Sequence, residues 1–168
     1  MAKRKMECSE EELRRIVTEH GSQILRLCVA YLGDRQLGED AAQETFFSVY
    51  EKYGTFAGNS SELTWILRIA INKCRNIMRK KHFGFEVLQY GLSLPEPAQM
   101  EYQESMLLEK IEKLPQMERE AILLYYYQEL DIKEISACCG VMEATIRQRL
   151  KRGRDRLKIV LEREGFCG

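Results

Sequence analysis

The chain has 168 residues, a mass of 19.7 kDa and a formal net charge of zero, from 26 basic and 26 acidic residues. Its 45% hydrophobic and 31% charged residues are typical of a folded protein and exclude a disordered one. No apolar run approaches the roughly 18 residues that span a bilayer. No apolar segment follows the basic N-terminus, so we expect no membrane insertion, no signal peptide and a cytoplasmic location.

Ser9 and Glu12 fit a capping box, which predicts a first helix directly after Ser9. Apolar residues then recur at steps of three and four until a break at Gly33, and the same period returns in two later segments. The helices predicted for this first unit cover about 10–32, 38–53 and 62–81, with the loop GTFAGNSS before the third.

Residues 82–104 contain four Glu and no Lys or Arg, and they include two Pro and two Gly. This stretch has no sustained helical period and predicts a linker. We therefore predict three parts: a helical domain 1–83, a flexible acidic linker 84–105 and a second helical domain 106–168.

The second unit also has a helical period throughout. Pro115 ends its first helix, and Asp131 with Glu134 forms a second capping pair. The predicted helices cover about 106–114, 117–127, 132–139 and 143–164. No segment alternates apolar and polar residues as a strand does, so the predicted class is all-α with two small domains.

Each unit ends in a basic segment. Six basic residues and no acid lie in 68–81, and seven basic residues with only Asp155 lie in 147–158. Two such segments in a neutral chain indicate two contacts with a polyanion. The alternative for each segment is an ordinary solvated helical face.

The stretch IKEISACCGVMEATIRQRL has the spacing of a helix-turn-helix, in which Gly140 supplies the left-handed turn residue. Ile146 and Leu150 face the core, and the second helix has the polar residues that read bases and hold phosphates in a major groove. A plain αα-corner with a basic face is the alternative.

Catalytic and metal chemistry find little support. Six cysteines and two histidines are present, but Cys138 and Cys139 are adjacent and both His20 and His82 are isolated. Zinc sites need paired ligands, and a reducing cytoplasm keeps thiols unpaired. We predict no metal, no cofactor and no enzyme activity, with His20 in the core.

Four segments together carry a family resemblance: YLGDRQLGEDAAQETF, TWILRIAIN, LPQMER and EISACCGVMEATIRQRLKRGR. With them the chain resembles the extracytoplasmic-function (ECF, group IV) sigma factors of the sigma-70 family. Residues 25–81 match region 2, and residues 108–158 match region 4.

The resemblance implies a subunit that binds core RNA polymerase, recognises two promoter elements and promotes transcription initiation. Region 2 would dock on the β′ clamp helices, and Asp40 and Glu44, one turn apart, would share an exposed edge. The residues at the matching positions are Asp40, Gln43, Glu44 and Phe47. The apolar face of 121–127 would meet the β flap, and an anti-sigma protein is a further expected partner.

The family also binds DNA through both regions. Region 2 captures a flipped base of the minus-ten element, and region 4 enters the major groove of the minus-thirty-five element. The matching minus-ten residues are Phe56, Asn59, Ser60, Thr64, Trp65, Asn72, Arg75, Asn76, Arg79 and Lys80. The matching minus-thirty-five residues are Thr145, Arg147, Gln148, Lys151, Arg152 and Arg154. Burial in the core is an equal alternative for Trp65.

Four positions depart from the family pattern. Tyr125 stands where a basic residue is common, Met142 replaces a small N-cap, Gly153 replaces Ala at a cost of about 1 kcal/mol in helix propensity, and Ser136 replaces Ala. A stand-alone helix-turn-helix regulator is the alternative function, and it would need a dimerisation surface to read a two-fold site.

Overall fold

The computed structural model describes residues 8–81 and 102–165, and all regular structure in these ranges is helical. This confirms the all-α class. The chain divides into two compact units, residues 1–98 and 99–168, which we call the N-terminal and the C-terminal unit. None of the described helices combines the length and the hydropathy that crossing a bilayer requires.

The N-terminal unit contains three helices: α1 (Glu10–Leu32), α2 (Arg35–Lys52) and α3 (Glu62–Lys81). The Ser9 hydroxyl caps α1 by accepting a 3.1 Å bond from the Glu12 amide, which confirms the predicted start. Gly33 ends α1 in the left-handed conformation, with φ 66°.

The second helix begins earlier than predicted. The Asp34 carboxylate accepts a 2.9 Å hydrogen bond from the Leu37 amide, so α2 starts directly after Asp34 and not near residue 38. Sequence periodicity missed this turn because it begins with the polar residues Arg35 and Gln36, although an N-cap needs only one short acceptor side chain. A short 3-10 turn, Tyr53–Thr55, follows α2.

The core of the N-terminal unit lies where α1 packs against α2 and α3. Large fully buried side chains come from all three helices, and they include Tyr31, Phe46 and Ile66. Helices α1 and α2 lie close together at Gly38, because a Cβ added there would lie 2.6 Å from Cα and 2.7 Å from N of Val29.

The C-terminal unit contains α4 (Tyr102–Glu112), α5 (Gln116–Ile122), α6 (Ile132–Cys139) and α7 (Glu143–Arg163). A π-helical turn, Leu123–Tyr127, extends α5. The segment predicted as one helix at 117–127 therefore consists of an α-helical part that ends at Ile122 and a π-helical part that begins at Leu123. The predicted linker 84–105 lies outside the described residues except for its end, which is helical from Tyr102. The three domain bounds remain a prediction.

The turn between α6 and α7 has the geometry that the sequence predicts. Asp131 and Glu134 form a reciprocal capping box, with bonds of 2.8 and 2.9 Å. Gly140 has φ 70° and ψ 32°, and its amide donates to the Ser136 carbonyl at 2.9 Å. These bonds confirm the short first helix and the glycine turn of a helix-turn-helix.

Gly153 has a packing role that its helix propensity does not suggest. It is buried where α7 crosses α5, and an added Cβ would lie 2.7 Å from Cγ1 of Ile122. The missing side chain thus lets the two helices lie close together. This close approach offsets the propensity cost that glycine brings to a helix.

Replacing Gly38 with alanine is expected to destabilise the N-terminal unit by about 2–3 kcal/mol, the usual cost of overpacking. The added Cβ meets main-chain atoms of Val29 that cannot move independently. Urea unfolding followed by the fluorescence of Trp65, the single tryptophan, measures the effect. Gly58→Ala is the control: at φ 75° with no atom within 4 Å, it costs only about 1 kcal/mol of backbone strain. Equal losses would contradict the packing argument.

Candidate nucleic-acid interface

Helix α7 presents one face to the core and the opposite face to solvent. Ile146, Leu150 and Gly153 are buried and recur at steps of four and three. Residues about half a turn away from this stripe, Gln148, Lys151 and Arg152, are exposed. Arg147 and Arg154 are also exposed, and Thr145 is half-buried. The six predicted residues therefore lie on the accessible sides of one helix.

The cations of α7 differ in their partners. Arg147 forms an ion pair with Glu143 at 3.2 Å, and Lys151 lies 3.9 Å from Asp155. Arg152 has no acidic partner in the described part of the chain. Exposed pairs one turn apart contribute only about 0.3–0.5 kcal/mol, so Arg147 and Lys151 can exchange these contacts for phosphates or base edges.

Two arginines connect α7 to the helix beneath it. Nη1 of Arg154 donates to the Tyr126 hydroxyl at 3.1 Å, and this bond raises the pKa of Arg154. Nε of Arg156 lies 2.9 Å from Oε2 of buried Glu118, a close ion pair without the angle of a hydrogen bond. Tyr126 is 52% exposed and was not predicted as a site residue.

The two unusual residues of the turn between α6 and α7, Met142 and Ser136, differ in the hydrogen bonds that they form. Met142 is the N-cap of α7 and provides no side-chain bond, as its chemistry predicts. Its carbonyl accepts from the Thr145 amide at 3.0 Å. Ser136 donates its hydroxyl to the Val141 carbonyl, so the position that is commonly alanine adds a bond across the turn.

The LPQMER segment has a structural role. Arg119 is buried, and its Nη2 donates to the carbonyls of Glu112 and Leu114 at the end of α4. Helix ends leave carbonyl groups without partners, and the guanidinium provides donors for the last carbonyl of α4 and for that of Leu114 just beyond it. This arginine therefore joins the end of α4 to α5.

The prediction that the apolar face of 121–127 meets the β flap is wrong for residues 121–124. All four are buried, because they form the core between α5 and α7. A helical period alone cannot distinguish a face that packs inside the same unit from a face that binds a partner. The exposed apolar side chains of this region are Leu107, Met117 and Tyr126, at 43%, 44% and 52% exposure.

Helix α3 carries a polar stripe along its outer side. Arg68, Asn72, Arg75 and Arg79 recur at steps of four, three and four, and all but half-buried Arg75 are exposed. Arg68 was counted in the basic segment but not among the site residues, and its spacing from Asn72 is the signal that identifies it.

The remaining predicted residues of α3 lie beside this stripe. Arg79 donates to the side chain of half-buried Asn76, and Lys80 is exposed. Thr64 is 5% exposed and lies in the first turn, where its hydroxyl accepts from Ser61 at 2.8 Å and its amide donates to the same oxygen at 3.0 Å. Thr64 is therefore placed to support the start of α3.

Three aromatic rings pack beside the loop that precedes α3. The ring centroids of Phe56 and Trp65 are 5.2 Å apart. The ring centroid of Tyr53 lies 6.3 Å from that of Phe56 and 6.1 Å from that of Trp65. Trp65 and Phe56 are half-buried, whereas Asn59 and Ser60 at the loop tip are exposed. Core burial and contact with a base were the two alternatives for Trp65. Its ring packs on Tyr53 and Phe56 and is only half-buried, so the residue has features of both.

An ionic network lies at the base of the same loop, centred on Glu62. Arg15 donates to both carboxylate oxygens at 3.1 and 2.8 Å, Nε2 of His20 lies 3.1 Å away, and the Tyr53 hydroxyl donates at 3.0 Å. The Arg15 bonds, with those from Tyr53 and His20, lower the pKa of Glu62 to about 2. Burial and the Glu62 bond raise the pKa of Tyr53 to about 12.

The network corrects the prediction for His20. This side chain is half-buried and faces carboxylates, so it is not a core histidine. Potential ligand atoms of Glu19, His20 and Glu62 lie within 4.8 Å of one another. The guanidinium of Arg15 pairs with both carboxylates, Glu19 at 2.9 Å and Glu62 at 2.8 Å, so the described contacts form an ion-pair network.

The predicted polymerase-binding residues lie on α2. Phe47 is 43% exposed, Gln43 and Glu44 are half-buried, and Asp40 is only 6% exposed. The prediction that Asp40 shares an exposed edge is therefore wrong, because helical spacing identifies a face and not what covers it. Burial, followed by repulsion from Glu44, raises the pKa of Asp40.

These features define an all-helical protein with an outward basic helix in each of two units and a helix-turn-helix in the second. Two family models match: Sigma-70 region 2 at residues 16–83 and Sigma-70, region 4 at residues 104–157. The match to region 2 does not favour the alternative of a stand-alone helix-turn-helix regulator.

Curated relatives agree. The ECF RNA polymerase sigma factor SigW of Bacillus subtilis is 31% identical over 160 residues, covering 85% of each chain. The RNA polymerase sigma-H factor of Pseudomonas aeruginosa is 28% identical over 163 residues, covering 88% of this chain and 84% of the relative. The chain belongs to the ECF RNA polymerase sigma factors of the sigma-70 family.

Solved structures have the same fold. CnrH in complex with the cytosolic domain of CnrY matches with a TM-score of 0.70 at 18% identity, covering 92% of this chain and 90% of that chain. RpoE in complex with the anti-sigma factor NepR from Bartonella quintana matches with a TM-score of 0.69 at 21% identity, covering 91% and 96%.

The acid stability of the N-terminal unit should depend on Glu62. Because its pKa is lowered from 4.5 to about 2 on folding, the network contributes fully above pH 4.5, and the contribution is lost as the pH falls through this range. Glu62→Gln should therefore lose less stability on acidification, measured as the urea midpoint of Trp65 fluorescence. Exposed Glu11→Gln should retain the wild-type dependence; the same acid response in both variants would contradict the assignment.

Proposed function

We propose that the chain binds core RNA polymerase and directs it to promoters through two DNA contacts, one in each unit. The observation that carries this proposal is the presence of an outward cationic helix face in each unit, on α3 and on α7. Region 2 and region 4 of the family match these same units. Polymerase supplies the catalysis, and the protein works in the cytoplasm where polymerase is found.

In the C-terminal unit, the middle of the exposed face of α7 reads bases and its flanks hold phosphates. Gln148 and Arg152 lie one turn apart, opposite the core, and their side chains suit adenine and guanine edges. Arg154 and Tyr126 present donors from two helices 3.1 Å apart, which suits two oxygens of one phosphate. This pair replaces the contact that a basic residue at position 125 would make.

In the N-terminal unit, α3 and its preceding loop bind the minus-ten element. The outer stripe, which includes Arg68 and Arg79, follows the backbone, and Asn59 and Ser60 contact an unstacked base. Phe56 and Trp65 provide an aromatic surface beside them. Stacking on aromatic side chains contributes about 1–3 kcal/mol per base.

The polymerase contacts involve apolar surface in both units. Phe47 and Tyr50, at 43% and 41% exposure, lie with Gln43 and Glu44 on α2 and would meet the β′ clamp helices. In the C-terminal unit, Leu107 and Met117 replace the buried residues 121–124 as the surface for the β flap. Exposed apolar residues beside polar ones are typical of binding surfaces.

An anti-sigma protein is a further proposed partner. One structural neighbour is such a complex by its own description, the sigma factor RpoE with the anti-sigma factor NepR, and another is CnrH with the cytosolic domain of CnrY. The same exposed apolar surfaces that suit polymerase would be blocked by such a partner. The proposal requires no cofactor.

Run-off transcription tests the function directly. Core polymerase is incubated with a genomic fragment library, with and without the full chain, and the transcript starts are mapped. We expect new starts only when the chain is present, downstream of two shared sequence elements. Identical starts in both reactions would overturn the proposal, as would tight and specific binding of the chain to promoter duplex without polymerase.

Charge reversal of the recognition helix should remove recognition of the upstream element. Arg147→Glu and Arg152→Glu place acids where α7 meets DNA, so promoters with an intact and a scrambled upstream element should be used equally. The control is Arg163→Glu, an exposed arginine in the last turn of α7, which should preserve the preference. An unchanged preference in the first two variants would contradict the assignment.

A further inference from the structure

We propose that Glu62 is a positioning residue for base capture: it holds the loop 53–61, here called the capture loop, in the shape that receives the flipped base. This inference rests on the proposed function. Neither the family motif nor the predicted site includes Glu62. The residue lies at the first position of α3, directly after the loop.

The carboxylate of Glu62 joins the two ends of the capture loop. Tyr53 begins the loop and donates its hydroxyl to Oε2 of Glu62 at 3.0 Å. Arg15, on α1, donates to both oxygens, and His20 approaches Oε1. A bidentate arginine contact restricts the carboxylate more than a single bond does. The loop ends are thereby fixed to a helix of the core.

Tyr53 transmits this restraint to the base-binding surface. Its hydroxyl bonds Glu62, while its ring packs edge-on against Trp65 and tilted against Phe56. A change at the carboxylate therefore moves a ring that touches both members of the proposed stacking surface. The hydroxyl of Tyr53 is a donor at neutral pH, as that of any tyrosine is, and burial with the Glu62 bond raises its pKa further, to about 12.

The rest of the loop leaves its tip exposed. Thr55 donates to the Lys52 carbonyl at 2.6 Å, Ser61 caps α3, and Gly58 turns the chain with φ 75°. Between these points the side chains of Asn59 and Ser60 face solvent. Their direction depends on how the loop ends are held.

An uncharged residue of the same shape cannot replace Glu62. Glutamine keeps one acceptor oxygen, and because Arg15 donates to both oxygens of Glu62, the amide NH2 would face one of the two Arg15 donors whichever way it points. One of these contacts must then be lost. The structure thus predicts that Glu62→Gln preserves the fold but loosens the loop.

The test measures base discrimination and not only activity. Holoenzyme is assembled with wild type, Glu62→Gln or Tyr53→Phe, and open-complex formation is measured on promoters carrying each of the four bases at each minus-ten position. A purely structural defect lowers open-complex formation equally on all promoters. Mispositioning lowers the preference for the favoured base, and we expect a loss of about tenfold for Glu62→Gln, equivalent to about 1.4 kcal/mol.

Two measurements make the outcome decisive. Exposed Glu11→Gln on α1 is the matched charge control and should keep the wild-type preference, and affinity for core polymerase should be equal in all variants. Tyr53→Phe keeps the ring and removes the hydroxyl that bonds Glu62 and also interacts with Glu12, so it should lose part of the preference. Full discrimination in Glu62→Gln and Tyr53→Phe overturns this inference. Absence of polymerase-dependent opening with wild type overturns the proposed function instead.

Discussion

The structure depends on the separation of apolar and cationic residues around two helices. On α7, Ile146 and Leu150 are buried while the arginines lie on the other sides, and α3 repeats this arrangement. Burial of an apolar side chain contributes about 1.5–3 kcal/mol, whereas an exposed charge costs little. Each helix is thus held by its inner face and leaves its outer face available for an anion.

Local signals made most of the fold predictable. Ser9, Asp131 and Gly140 act within one turn of their own position, so their caps and turn could be read directly from the sequence. The same reading failed where polar residues hide a helix start, at Asp34, and where α5 becomes a π-helix at Leu123–Tyr127. A π turn shifts the register by one residue, and no composition signal marks it here.

The candidate site was less predictable because its contacts are distant in the chain. Arg15 and Glu62 are 47 residues apart, and Arg154 and Tyr126 are 28 residues apart. Helical spacing selects residues that share a face: it groups Gln148 with Arg152 on the exposed side of α7, and Arg68 with Asn72 on the exposed side of α3. It cannot show which distant side chain supports them, nor that residues 121–124 pack inside their own unit.

The zero net charge has a consequence for how the two surfaces work. Acids on α7 itself, Glu143 and Asp155, lie within 3.2 and 3.9 Å of cations that would meet DNA. These acids weaken the attraction of α7 for phosphates, so we expect the C-terminal unit alone to bind DNA weakly, and its affinity to fall further as salt increases. Two weak contacts become strong only when a common partner fixes both units, because the second contact then forms at a high effective concentration. We therefore expect stable promoter binding to depend mainly on polymerase, which holds both units, and the acids of α7 to add only a small further requirement.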